Sequence, residues 1–204
     1  MGHIVLLGDS IFDNGAYVAP GGTTLDELKA RLPDGWDATL LAIDGSVTAD
    51  ALSQLHGIPE AATHLVISSG GNDALGQESM LHQQVETAGE AFFMLGTAVC
   101  NFEEDYRALL QAALATGLPT IVCTIYNGNF PDPDERLVTS TALSPFNDAI
   151  IRMAWASTVP IIDLRTVCDR PEHYANEIEP STAGSARIAE AIVRAIFRGP
   201  GKVE

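Results

Sequence analysis

Positive charge is scarce in this sequence: 204 residues carry 11 Lys and Arg against 27 Asp and Glu, a formal net charge of −16. Such an excess repels phosphate backbones and anionic lipid surfaces, so neither nucleic acid nor a membrane is an expected partner. Cysteine is scarcer still. Cys100, Cys123 and Cys168 are odd in number, widely spaced, and form neither a CxxC nor a Cys/His cluster. A disulfide framework and a zinc site are both unexpected, and the three read as reduced core thiols. No apolar run approaches the ~20 residues of a membrane span, and no basic leader with a small-residue cleavage site opens the chain. The expectation is a cytoplasmic protein that does not enter a membrane. Aromatics make up only 6% while hydrophobic residues make up 46%, so the core must be built from Ala, Leu, Ile and Val. That composition suits helices laid on a parallel sheet.

No internal repeat or low-complexity linker is present, and the length suits one larger domain spanning 1–204. Short β-branched or Leu-rich runs predict strands at Ile4–Leu7, Thr39–Ile43, Leu65–Ser68, Thr120–Ile125 and Pro160–Asp163. Between them helical patterns fall near Leu25–Leu32, Thr48–Leu55, Glu78–Leu95, Phe102–Ala115, Ser144–Trp155 and Ala183–Phe197. Strands alternating with helices indicate an α/β fold around a parallel sheet. The last helix is the clearest: Ile188, Ala191, Ile192, Ala195 and Ile196 share one face. Ser181 and Thr182 mark its start and Gly199-Pro200 its end. The stretch 126–146 carries three of the eleven prolines and reads as a long irregular loop over the carboxyl edge of the sheet, where open α/β folds bind ligands.

Three short segments carry candidate chemistry, each just after a predicted strand. In "GDS", 8–10, Gly8 permits a sharp turn that can present the Ser10 hydroxyl at the sheet edge. In "IDGSVT", 43–48, Gly45 can offer an unobstructed backbone N–H to a developing oxyanion. In "SSGGND", 68–73, paired glycines let the chain bend so that the Asn72 amide can be aimed as a donor. Taken singly, each also reads as an ordinary turn. Asp9 and Asp13 leave open an acidic metal pocket, but two carboxylates without a third ligand are too few for an octahedral ion. No metal and no cofactor is called for.

Serine, glycine N–H and asparagine amide, in that order and on three strand ends, resemble the SGNH hydrolases, also called the GDSL esterase/lipase superfamily. The resemblance runs from the first strand to the last helix. It implies a flavodoxin-like three-layer α/β/α sandwich with five parallel strands, and hydrolysis of a small-molecule ester through an acyl-Ser10 intermediate. It also implies an oxyanion hole from the Ser10 N–H, the Gly45 N–H and Asn72. The family ends in an Asp-x-x-His block, usually followed by Pro, before the final helix. Here that stretch is "NEIEPS", 176–181: Asn176 stands at the aspartate's place and Glu179 at the histidine's, with Pro180 fixing the alignment.

Three answers to the missing histidine stay open. Glu179 can act as base if burial or a neighbouring carboxylate, such as Glu177, Asp9 or Asp13, raises it above the ~4.3 of a free glutamate; a serine–glutamate pairing is similar to that of the sedolisin peptidases. His173, six residues upstream, is a second candidate if its loop folds back. The third is a protein on the same fold that binds its ligand without hydrolysis.

Overall fold

The computed structural model describes residues 1–198. Strands β1 (Gly2–Gly8), β2 (Trp36–Leu40), β3 (His64–Ser68), β4 (Thr120–Cys123) and β5 (Ile161–Ile162) form one sheet in the order β2-β1-β3-β4-β5. Every pairing is parallel. This is the flavodoxin-like order, whose switch point lies between β1 and β3. The two-residue periodicity of β1 sends its side chains to both faces. Ile4 and Leu6, with Val66 and Ile121, pack under α1 (Thr24–Lys29) and α7 (Thr182–Arg198). Val5 and Leu7, with Leu65, Ile67 and Val122, pack under α2 (Thr48–Gln54), α4 (Ala88–Ala115) and α5 (Pro133–Ala156). Two apolar layers around a buried sheet give the expected three-layer sandwich. Two short helices, α3 (Gly71–Leu75) and α6 (Leu164–Val167), follow β3 and β5.

Several expected boundaries shift for identifiable reasons. The second strand sits three residues earlier than the apolar run suggests, because Trp36–Leu40 pairs with Gly2–Leu6. The chain then peels away: the N–H groups of Leu41 and Ala42 both donate to Leu6 O, and Ile43 is exposed. The two helices expected at 78–95 and 102–115 are instead a 3₁₀ turn (Glu78–His82) and one continuous helix, α4, capped by Thr87 through its hydroxyl to the Glu90 N–H. The expected loop 126–146 is mostly helical. Asp132 caps α5 and Pro133 occupies its first turn, where proline costs no bond. Pro145 is accommodated inside the helix, where its missing donor leaves only the carbonyl of the exposed Thr141 without its helical partner. Cys123 and Cys168 are buried as expected, whereas Cys100 is exposed on the outer side of α4. The start of α7 follows expectation, with Ser181 Oγ accepting the Gly184 N–H at 3.2 Å. Its expected end at Gly199-Pro200 lies outside the described residues.

The tightest backbone approach in the sheet is at the end of β1. Gly8 has φ +131°, and a Cβ there would stand 1.7 Å from Ser68 O. The Gln54 side chain of α2 clamps the same residue, its Oε1 accepting the Gly8 N–H and its Nε2 donating to Gly8 O, both at 2.8 Å. Gly8→Ala is therefore expected to cost more than about 3 kcal/mol of stability, because neither the positive φ nor the contact with backbone can relax cheaply. Urea denaturation measures this; a loss below about 1 kcal/mol would show that the two strands can separate there.

Candidate active site

The loops that leave β1, β2 and β3 end together at the carboxyl edge, and side chains tie them pairwise. From β1, Gly8-Asp9-Ser10 turns so that Phe12 and Asp13 donate their N–H groups back to Asp9 O, both at 3.1 Å. The Asp13 carboxylate accepts the Asp44 N–H at 2.9 Å, binding the first loop to the Gly45 loop. The Gly45 loop is bound in turn to α3: Asn72 Nδ2 donates to Ser46 O at 2.9 Å, and the Asp73 carboxylate accepts both the N–H and hydroxyl of Thr48 at 2.9 Å. Gly70 starts α3 at φ +116°, where a Cβ would press on Phe102 and Ile125, so the turn that aims Asn72 requires glycine.

The fourth loop, 174–181, is a narrow antiparallel turn. Tyr174 bridges Pro180, and the Ala175 N–H donates to Glu179 O at 2.8 Å. Asn176 Oδ1 accepts the N–H groups of both Ile178 and Glu179 at 2.9 Å, so its side chain shapes the backbone that carries Glu179. From the first loop, buried Asn14 donates to Pro180 O at 3.2 Å and to Ser185 Oγ at 2.7 Å. The hydroxyl of Tyr126, in the loop after β4, donates to Ile178 O. Glu179 is thus held from three sides.

Ser10, Asn72, Asp9 and Glu179 line one cavity of about 140 Å³. Its far walls are apolar, from Leu75 of α3, Leu95 of α4, Ala142, Leu143 and Phe146 of α5, and Ile125 and Phe130 beyond β4. Glu179 is 5% exposed, and its Oε2 has no hydrogen-bond partner. Burial raises its carboxyl above the usual glutamate range, the adjoining Ser10 hydroxyl opposes that rise, and the Asp44 charge adds to it. Asp9 is more strongly affected: burial pushes it up to about 7, the Ile11 N–H bond pulls it down, and the charges of Glu179 and Asp73 raise it further. Burial also raises Asp73, against the pull of its bonds from Thr48. The backbone N–H groups of Ser10 and Gly45 have no acceptor among the described residues.

Ser10, Asn72 and Glu179 therefore meet in the cavity wall. Gly45 is exposed and stands beside Ser46, the residue bound by Asn72, rather than in the wall itself. Asn176 supports Glu179 from behind. Glu177 is exposed and outside the wall, with its carbonyl accepting the Asn129 N–H at 2.7 Å. The like charge that raises Glu179 is that of Asp44, not Glu177, while Glu179 in turn raises Asp9. His173 is buried away from the cavity; its Nδ1 accepts the Arg170 N–H at 3.3 Å and lies 3.6 Å from Asp169. Asp9 and Asp13 point apart, Asp9 into the cavity and Asp13 toward Asp44. Among the described residues no group of three or more His, Cys, Asp and Glu side chains is arranged to hold a metal ion. Asn14 and Gln54 were not singled out by sequence, since their partners lie 166 and 46 residues away.

The model of the GDSL-like lipase/acylhydrolase family matches residues 6–187. The chain belongs to that family. Solved structures share its fold. A lipase/acylhydrolase from Enterococcus faecalis is 22% identical with a TM-score of 0.70, and a lipase from a goat rumen metagenome is 20% identical with a TM-score of 0.74; both alignments cover 100% of each chain. A psychrotrophic esterase from a Pseudoalteromonas species, in a structure inhibited by monoethylphosphonate, is 16% identical with a TM-score of 0.68 over 97% of this chain and 98% of that one. No curated protein matches this sequence. Among the described residues of this family member no helix is long and apolar enough to cross a membrane.

The raised carboxyl of Asp9 carries a stability consequence. An acid whose folded pKa exceeds its unfolded value holds its proton longer in the native state, so stability falls as pH rises from about 4 to about 7. Asp9→Asn should remove that loss. We expect it to raise stability at pH 8 by an amount on the order of 3 kcal/mol and to change it little at pH 4. Thermal melts at the two pH values measure the difference; an equal shift at both would mean that Asp9 titrates as a free carboxyl.

Proposed function

We propose that the chain is a serine esterase in which Ser10 is the nucleophile and Glu179 the base. The observation that carries this reading is the Glu179 carboxylate, buried in the same cavity wall as Ser10, beside its hydroxyl and with one oxygen unpartnered. A buried carboxylate with a raised pKa is a stronger base than one in water.

Ser10 Oγ attacks the carbonyl carbon of a bound ester while its proton passes to Glu179. The oxyanion is taken up by the Ser10 N–H and the second amide hydrogen of Asn72, both in the cavity wall, with the Gly45 N–H, just outside the wall, as the third donor the family uses. Collapse expels the alcohol, which takes the proton from Glu179 and leaves an acyl-Ser10 ester. Water then attacks that ester with Glu179 again accepting the proton, releasing the carboxylic acid and restoring Ser10. Asn176 and Asn14 position Glu179 through its backbone, and no metal or cofactor enters any step. The apolar far walls suit an acyl group rather than a charged one. The solved esterases and lipases with this fold are in keeping with an ester substrate.

Ser10→Ala should abolish both labelling by a fluorophosphonate and turnover of a nitrophenyl ester. Glu179→Gln should lower turnover by ~10²–10⁴-fold while the fold persists. The native rate should climb with pH as Glu179 loses its proton, with a midpoint above that of a free glutamate. Glu179→His together with Asn176→Asp should move the midpoint toward ~6.5, the imidazole value. A Glu179→Gln protein with native turnover would remove the glutamate from the mechanism. A native protein that neither labels nor turns over esters would leave a ligand-binding member of the family.

Asn72→Ala tests the oxyanion site separately, with an expected ~10²–10³-fold loss in kcat. His173→Ala should change kcat by less than about threefold at equal folded fraction, since its ring contacts Arg170 and Asp169 rather than the cavity. A larger effect of His173 than of Asn72 on kcat would reverse these assignments.

A further inference from the structure

We propose that the mouth of the Ser10 cavity docks on an electrically neutral ester-lipid surface, seating Leu75, Leu81, Phe92, Phe93, Leu137 and Val138 against it. This rests on the esterase reading, and names the physical state in which the substrate is met.

The surface exists because two helices are longer than the sheet they cover. α4 has 28 residues and α5 has 24, about 42 and 36 Å, whereas the longest strand has seven residues. Their buried residues begin only at Val99 and Phe146, so the opening turns of both helices stand beyond the carboxyl edge of the sheet. Those turns would be expected to be polar on their outer sides. Instead Phe92 and Phe93 are 71% and 76% exposed, and Leu137 and Val138 are 66% and 49% exposed. Four of these apolar side chains belong to the cavity wall or lie one helical turn from it. Phe92 lies one turn before Leu95 and Val138 one turn before Ala142, both in the cavity wall. Leu75 and Leu81 belong to the wall and are each 39% exposed. Contiguous exposed apolar groups of this kind mark a binding face.

Charge selects the occupant. The flanking residues Glu78, Glu86, Glu90, Asp132, Asp134 and Glu135 are all acidic. Across residues 76–95 and 130–140 the single Lys or Arg is Arg136, whose guanidinium is bonded to the carbonyls of Phe130 and Pro131. An anionic bilayer would need the basic residues that this face lacks. A second copy would bring a like charge of −16 to the contact. A neutral or zwitterionic lipid surface requires no cation and accepts the apolar side chains.

The test is flotation of Ser10→Ala protein, which cannot consume the lipid, with vesicles of phosphatidylcholine and with vesicles of equal parts phosphatidylcholine and phosphatidylglycerol. Partition onto phosphatidylcholine should exceed that onto the mixed vesicles. Adding Phe92→Ser and Phe93→Ser should reduce it at least tenfold, since docking would bury two large side chains that these substitutions remove. Leu137→Ser with Val138→Ser provides a second variant should the first misfold, with circular dichroism as the check. Docking is overturned by any of four results: no flotation, flotation indifferent to both pairs of substitutions, preference for the anionic vesicles, or a dimer in sedimentation that the substitutions dissociate. Failure of flotation with native ester turnover intact rejects the docking face alone. Flotation by a protein whose native form turns over no ester rejects the esterase reading alone.

Discussion

Two carboxyl groups taken out of water at one edge of a parallel sheet set the demands that the surrounding structure meets. Glu179 and Asp9 are both nearly inaccessible, burial raises the proton affinity of each, the Glu179 charge raises that of Asp9 further, and Glu179 keeps an oxygen without a partner. Left free, a chain would rotate such groups back to solvent, because desolvation of a carboxylate costs several kcal/mol. The backbone that carries them must therefore be rigid. Asp9 follows a glycine wedged against Ser68 and gripped by Gln54, and Glu179 sits on a turn held by Asn176, Asn14 and Tyr126. Stability is given up at the site and recovered in its support, which is the usual balance where a reactive group needs a perturbed proton affinity.

That support runs through side-chain to main-chain bonds more than through packing. The first loop reaches the second through Asp13 and Asp44, the second reaches the third through Ser46, Thr48, Asn72 and Asp73, and the first reaches the fourth through Asn14 and Pro180. Most of these bonds satisfy a backbone group, such as the N–H groups of Asp44 and Thr48 and the carbonyls of Ser46 and Pro180, that a loop would otherwise expose or bury unpaired. The same bonds fix the mutual geometry of groups on four loops, which the esterase proposed above would need for its oxyanion. Asn72 illustrates the economy of the arrangement: one amide hydrogen goes to Ser46 O and fixes the orientation of the group in the cavity wall.

The cavity owes its depth to a different feature, the mismatch between long helices and short strands. The second halves of α4 and α5 cover the sheet, while their first halves rise past it and wall a space that the sheet cannot fill. Because the part of the wall opposite Ser10 is mostly leucine, phenylalanine and alanine, an apolar group is favoured against it.

Strand and helix order, the buried parallel sheet, and the placing of Ser10 and Asn72 on loops at the carboxyl edge were legible in the sequence because they rest on local patterns: residue periodicity, turn glycines, and short motifs at strand ends. Helix boundaries were less so. Pro131, Pro133 and Pro145 read as loop, yet proline in a first turn favours a helix, and the interior proline is tolerated where the carbonyl it frees belongs to an exposed residue. Aligning Glu179 by Pro180 needed only the sequence. Whether that carboxyl turns inward, whether His173 approaches the cavity, and which acids press upon Glu179 depended on bonds such as Asn14 to Pro180, between residues 166 apart. Composition and periodicity determine which elements form; only tertiary packing decides which loop ends are brought together, and so removes a given carboxylate from water.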